Sequence, residues 1–475
     1  MGVKQTFFCS SRKVAIISLS LLSFFTCFDN NTQAKSKTSN KEYIEENQPV
    51  HNGRNGKLTA KEKSIARNAW RYFETNYQAE TGLVNAVNNY PSTTMWDTAS
   101  YLGGLVSAYE LKLIDKTDFD KRLVTLFKTF NKMDLFRNEM PNKVYNTKTG
   151  QKVNYANKPG EIGYSAIDLG RLLIWFKIIK ERYPEHSNEI DYCVMRWNFC
   201  NTLDKDGTMY GALVGKDNKV SYNQEGRLGY EEYAAKGFQL WGFNTEKASK
   251  PEPYDFVPIY GINIPYDTRD PRYFVAHNYV VTESYILDGL ELNWDLTTDH
   301  STDGNYHSDK FISQHAEDIY KVQEQRYKIT GILTARSEHQ LDQAPYFVYD
   351  SIFTDGYPWN TITDEGKYVP QYSAICLKAA MGMWVLWDTD YTNTLFDRIS
   401  DLYDPNSGYY EGVYENGNGV INTFTANNNG IMLEALLYKV QGKILQFSDK
   451  GNIWDVFTSD QFQPRKDKCF PNKIK

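Results

Sequence analysis

Six stretches of this chain share one design, an aromatic or polar opening that runs into a helix of small residues. They are MWDTASYLGG from Met95, GEIGYSAIDLG from Gly160, GRLGYEEYAAKG from Gly226, VVTESYILDG from Val280, YSAICLKAAMG from Tyr372 and FTANNNGIMLEA from Phe424. Small side chains at a helix contact allow the backbones to approach closely. The helices between these stretches carry longer, more charged side chains and suit a solvent-facing layer. Helix pairs that cannot bury their own apolar faces stack on their neighbours. The pattern therefore predicts an all-α fold, an (α/α)6 toroid of about twelve helices with short β-strand pieces in the connecting loops. An open solenoid is the rival. Its units repeat evenly, whereas the intervals here run from roughly 50 to 90 residues.

Periodicity places a first helix after Thr59, a candidate cap, in AKEKSIARNAWRYFETNYQ. Further helices are expected over about 94–113, 117–132, 164–183, 187–203, 230–241, 278–292, 308–329, 372–387, 392–402 and 424–438. Tyr254 to Pro271 reads as an extended excursion, and Thr334 to Phe353 as two short strands.

The first 34 residues read as an export signal: Lys4, Arg12 and Lys13 precede an apolar run from Val14 to Phe25, and Thr32-Gln33-Ala34 offers a cleavage site. Lipid modification at Cys27 is the less favoured route, because Phe24 and Phe25 are bulky. The expected destination is the periplasm or the exterior. Residues 35–56 read as a disordered leader, 57–445 as the catalytic-type toroid and 446–475 as a C-terminal tail. No later segment reaches the ~18 apolar residues of a membrane span. The net charge of −6 opposes a general nucleic-acid footprint. The spacing of Cys193, Cys200, Cys376 and Cys469 matches no zinc pattern, and four cysteines leave pairing open. Cys193 and Cys200 are expected as buried thiols on one helix.

In a closed ring the inner helices point their N-termini to one face, and the six openings meet there. Lone acids at such positions are also good helix residues. Several acids beside aromatics, from distant parts of the chain, suggest instead the two carboxyl groups of glycoside hydrolysis, one protonated and one ionised. The candidates are Asp97 beside Trp96, Glu231 beside Tyr230, Glu338 and Glu411, with Glu161 and Glu283 second. Asp168 and Arg171 are spaced for a local pair. Asp342 precedes Pro345-Tyr346 and either positions sugar or holds its loop. A lyase reading would use His277 with Tyr285 or Arg269. Asp204-Lys205-Asp206-Gly207 reads as a plain turn rather than a calcium loop.

With these residues laid out, the chain resembles a bacterial family of unknown function grouped near the glucoamylase-like ("glycoamylase") glycoside hydrolases. The resemblance spans about 57–445. It is carried by TGLVNAVNNYPSTTMWD, MPNKVYNTKTG, GEIGYSAIDLGRLL, EGRLGYEEYAAKGFQLWG, LTARSEHQLDQAPYFVYDSI, SAICLKAAMGMWVL and the run from GYYEGVYE to TANNNGIMLEALLYKVQGK. Met140 stands where leucine is usual, and Ala426-Asn427 departs from the expected Thr-Asn-Thr-like run. The resemblance implies the (α/α)6 fold and kinship with enzymes acting on glucans, β-1,2-linked ones included. The matching polar positions are Trp96, Asp97, Tyr164, Asp168, Tyr230, Glu231, Ser337, Glu338, Tyr346 and Asn427.

The expected protein is thus a glycoside hydrolase that takes an oligo- or polysaccharide and needs no metal or cofactor. Glu231 is the expected general acid, and Asp97 or Glu338 the base or nucleophile. Trp96, Tyr164, Arg227, Tyr230, Asp342, Tyr346, Tyr410, Glu411 and Asn427 are the expected sugar contacts. A polysaccharide lyase on the same toroid and a non-catalytic glycan-binding scaffold are the alternatives.

Overall fold

Thr59 caps the first helix of the described residues. Its hydroxyl accepts the amide of Glu62 at 3.3 Å, and the Glu62 carboxylate accepts the amide of Thr59 at 2.8 Å. This reciprocal cap satisfies two donors that a helix start leaves bare. The computed structural model describes residues 53–459, except 275 and 449, together with 466–471. The signal (1–34), Cys27 and nearly all of the leader lie outside the described residues.

Thirteen α-helices follow in the described residues: α1 (Ala60–Asn76), α2 (Met95–Glu110), α3 (Lys116–Phe130), α4 (Ala166–Arg182), α5 (Ser187–Arg196), α6 (Tyr230–Gln239), the single turn α7 (Pro271–Phe274), α8 (Glu283–Leu287, running into a π-turn at Asp288–Leu292), α9 (Lys310–Thr330), α10 (Leu377–Leu386), α11 (Asp390–Ile399), α12 (Ala426–Gln441) and α13 (Ile453–Phe457). The even-numbered helices from α2 to α12 each pack on the next, and α12 packs back on α2. Burial separates two layers: all ten residues of α10 are buried, but only six of fifteen in α3. The odd helices α1, α3, α5, α9 and α11 lean on the outside of this cycle.

Small residues make the cycle tight. A Cβ at Gly237 of α6 would lie 2.0 Å from the carbonyl oxygen of Gly170 in α4, and one at Gly430 of α12 would lie 2.5 Å from that of Ser100 in α2. At both contacts backbone meets backbone.

The fold is not plainly all-α. Seven small antiparallel sheets of two or three strands occupy the connections. Three of them lead directly into even helices, through Ser92–Thr94, Gly163–Tyr164 and Ala374–Cys376. Pairing fixes these lead-in strands, and with them the direction in which each helix starts. Between α6 and α8, where an outer helix would stand, the chain forms a hairpin of Tyr254–Ile259 and Ile262–Asp267 whose second strand packs on α9. Within 334–353, His339–Gln340 pairs with Phe347–Asp350.

Helix α5 stops at Arg196, short of the expected 203. Cys200 is therefore off the helix, and it forms a disulfide with Cys469 rather than remaining a thiol. Cys193 is buried and free. The described part of the tail folds onto the body: the Trp454 amide donates to Asp191 Oδ2 at 2.9 Å, and its ring packs edge-on to Trp241 at 5.0 Å. No helix among the described residues is long and apolar enough to cross a membrane.

Candidate functional site

Each even helix delivers a polar or aromatic side chain from its first two turns to one place. Trp96 and Asp97 come from α2, Asp168 and Arg171 from α4, Tyr230 from α6, Glu283 from α8, Lys378 from α10 and Asn427 from α12. The Trp96 indole N–H donates to Glu283 Oε1 at 3.0 Å, and Asn427 Nδ2 donates to the same oxygen at 2.7 Å. Lys378 pairs with the other Glu283 oxygen. Arg171 Nη1 donates to Asn427 Oδ1 at 3.0 Å, and its guanidinium lies 4.7 Å from the Trp96 ring centre. Tyr230 packs against Trp96 with ring centres 5.6 Å apart.

Acids border this floor, Asp97 and Asp168 half-buried and Glu338 buried. Burial pushes Asp168 up to about 7, helped by the charges of Glu225 and Asp97, against the Ser165 hydroxyl that donates to it at 3.0 Å. Burial also raises Asp97; the Thr94 hydroxyl at 2.7 Å and the charges of Arg171 and Lys378 pull it back toward the ionised form. Burial raises Glu338 against the attraction of Lys378, and its two oxygens accept the Tyr230 hydroxyl and, at 3.0 Å, the Ser337 hydroxyl. Tyr279 and Tyr349 stack at 4.2 Å, and Tyr279 reaches Tyr230 at 6.1 Å. Both keep part of their surface exposed, as do Trp96, Asp97, Asp168 and Asn427. The result is a partly exposed cluster of carboxyls and aromatic rings at the helix starts.

Of the residues expected from sequence, Trp96, Asp97, Tyr230, Glu338 and Asn427 meet here. Glu411 is 1% exposed and accepts the Thr425 hydroxyl at 2.7 Å and the Gln340 amide at 3.3 Å, which ties it to the strand that follows Glu338. Tyr410 is half-buried against Phe424. Asp342 and Tyr346 are exposed on the turn joining His339–Gln340 to Phe347–Asp350.

Three expected residues lie elsewhere. Glu231 is fully buried, accepts Arg269 Nη2 at 3.1 Å and Gln224 Nε2 at 3.3 Å, and is pushed up to about 10 by burial and by the adjacent carboxyl of Glu252. Arg227 is 2% exposed, pairs with Asp267 at 3.2 Å and covers Phe274. Tyr164 has no exposed surface; it packs on Phe136, and its oxygen accepts the Thr202 hydroxyl. A ring without a free face has none to offer a sugar.

Arg171 does not form the expected local pair with Asp168. It is fully buried and faces Glu434 at 3.3 Å and Glu291 at 3.5 Å. His277 pairs with Asp355 at 2.7 Å, while Arg269 is engaged by Asp267, Glu252 and Glu231, and Tyr285 is buried beneath Gly229. Asp204 accepts the amides of Asp206 and Thr208, both at 2.9 Å, as a turn residue does. Asp120, Glu185 and His186 cluster closely enough for a metal, but Lys116 already pairs with both acids.

Sequence reasoning passed over Lys378, Glu225, Tyr279 and Tyr349. Lys378 had a signal, being the one charge in the otherwise apolar run Leu377–Leu386.

The sequence profile of a family described as "Protein of unknown function (DUF3131)" matches residues 64–442. The chain belongs to the DUF3131 family. No curated protein matches it. Among solved structures, this DUF3131 chain is similar to an endo-β-1,2-glucanase from Chitinophaga pinensis in complex with sophorotriose and glucose, at TM-score 0.57 and 11% identity over 85% of this chain and 96% of that one. It is similar also to a Bacteroides caccae protein provisionally named a glucoamylase, at 0.58 and 11% over 84% and 95%. A third is the endo-β-1,2-glucanase of Talaromyces funiculosus with sophorose, at 0.51 and 9% over 81% and 84%. At these identities the likeness is one of fold.

Proposed function

We propose that this DUF3131 protein is an exported glycoside hydrolase that cleaves a β-linked glucan, β-1,2-glucan foremost, in the groove of an (α/α)6 toroid. The cycle of even helices and their outer partners supports the toroid reading, with the Tyr254–Asp267 hairpin in place of one outer helix. The likeness to two β-1,2-glucanases supports the substrate.

One observation carries the chemistry: Asp97 and Asp168 start neighbouring helices, both are half-buried, and burial, Glu225 and the charge of Asp97 together keep Asp168 protonated up to about 7. Neighbouring carboxyls with separated proton affinities mark the acid and its ionised partner. Asp168 protonates the glycosidic oxygen as the bond to the anomeric carbon breaks. Asp97, raised by burial but drawn back toward the anion by the Thr94 hydroxyl, Arg171 and Lys378, is the partner: it either takes the proton of the water that bonds the anomeric carbon or bonds that carbon itself until water displaces it. Trp96, Tyr279 and Tyr349 offer ring surface to the sugar, and the buried Tyr230 backs Trp96.

Reducing-sugar release from a panel of α- and β-glucans tests the reading. Release from β-1,2-glucan is expected, and Asp97→Asn and Asp168→Asn should each lower kcat about a hundredfold or more. Full turnover by both variants, or an unsaturated, ultraviolet-absorbing product from uronic polymers, would overturn it. Export is supported by the basic and apolar N-terminal pattern and by the Cys200–Cys469 disulfide, since disulfides persist in oxidising compartments. Accumulation of the protein in the cytoplasm with its first 34 residues intact would contradict export.

A further inference from the structure

We propose that Asn427 is a positioning residue for the sugar platform Trp96, acting through Glu283. This rests on the hydrolase reading of the groove. The bonds form a closed cycle. The Ser100 hydroxyl at 2.8 Å and Arg171 Nη1 at 3.0 Å both donate to Asn427 Oδ1, so the Asn427 amide has one orientation. Its Nδ2 therefore faces Glu283 and donates to Oε1 at 2.7 Å. That same oxygen accepts the Trp96 indole N–H at 3.0 Å. Arg171 closes the cycle from below, 4.7 Å from the Trp96 ring centre, and Ser100 Oγ accepts another Arg171 hydrogen bond at 2.8 Å. Lys378 holds the second Glu283 oxygen.

Every member but Trp96 and Asn427 is fully buried, with Ser100, Arg171 and Glu283 at 0% exposure. The polar cycle is therefore shielded, and its geometry is over-determined. Trp96 hangs from it and is itself only half-buried. A ring that stacks on sugar gains most when its orientation is fixed before binding, because no ordering then remains to be done. Asn427 is the member whose chemistry can be inverted without changing its shape. In Asn427→Asp an acceptor oxygen replaces the Nδ2 donor and meets Glu283 Oε1, so two carboxylates repel where a hydrogen bond stood, and Glu283 can no longer hold the indole.

A double-mutant cycle on β-1,2-glucan tests this. Asn427→Asp and Trp96→Phe should each raise KM about tenfold, and the double variant should bind no worse than Trp96→Phe alone, since coupled residues are not additive. Multiplying effects would overturn the proposal. Near-ultraviolet circular dichroism reads the same cycle without substrate: Asn427→Asp should remove the band that Trp96→Phe removes. An unchanged Asn427→Asp spectrum would overturn the proposal even if the wild type cleaved β-1,2-glucan. A wild type that acts on no glucan would count against the hydrolase reading, and the dichroism would still decide the Asn427 assignment.

Discussion

Asp168 pays for its position with a proton. Its carboxyl moves from an ordinary 3.8 up to about 7, chiefly through burial. Between those values the folded chain binds a proton that the unfolded chain releases, so stability falls as pH rises from about 4 through 7. Thermal melts of Asp168→Asn should show a shallower decline over that window and a Tm roughly 1–3 °C above wild type at pH 8, as is common when an active-site strain is removed. Identical pH slopes for the two proteins would contradict the assignment. For catalysis, kcat/KM should fall on the alkaline side of about 7, where the acid loses its proton. Glu231 is the contrasting case. Burial and the neighbouring Glu252 raise its carboxyl, so the uncharged amide of Glu231→Gln replaces it at little cost. Urea unfolding should place that variant within about 1 kcal/mol of wild type.

The elements depend on close backbone contacts and one covalent tie. Gly237→Ala would drive a methyl group against the Gly170 carbonyl, 2.0 Å from the built Cβ position. Helices α4 and α6 must separate, at an expected cost of at least about 2 kcal/mol by chemical denaturation. A wild-type midpoint would show that the ring is looser than the structure indicates. The disulfide closes a loop between residues 269 apart and anchors the segment whose Phe470 packs on Phe199 and Trp454. Cys200→Ser should cost roughly 2–5 kcal/mol. Unchanged stability would mean that the aromatic contacts alone hold the segment.

Across the whole molecule, the sequence exposed the plan of the helices better than their rotation. The small-residue openings beginning near Met95, Gly160, Gly226, Val280, Tyr372 and Phe424 all belong to the cycle, because small, buried residues are a local signal. The strands leading into α2, α4 and α10 escaped notice, since two or three residues are too few for an alternation to register. Which face a helix turns inward is a tertiary property. Tyr230 and Glu231 are neighbours in sequence, yet about 100° of helical rotation separates their side chains. One therefore meets Trp96 while the other meets Arg269. The same rotation directs Arg171 to Asn427 and Glu434 instead of its expected partner Asp168. The helix rotation that separates Tyr230 from Glu231 also identifies the most direct test, the turnover of β-1,2-glucan by Asp168→Asn beside Glu231→Gln. The geometry predicts a loss of about a hundredfold or more for Asp168→Asn and a value within a few-fold of wild type for Glu231→Gln. The reverse order would contradict the groove as the seat of the chemistry.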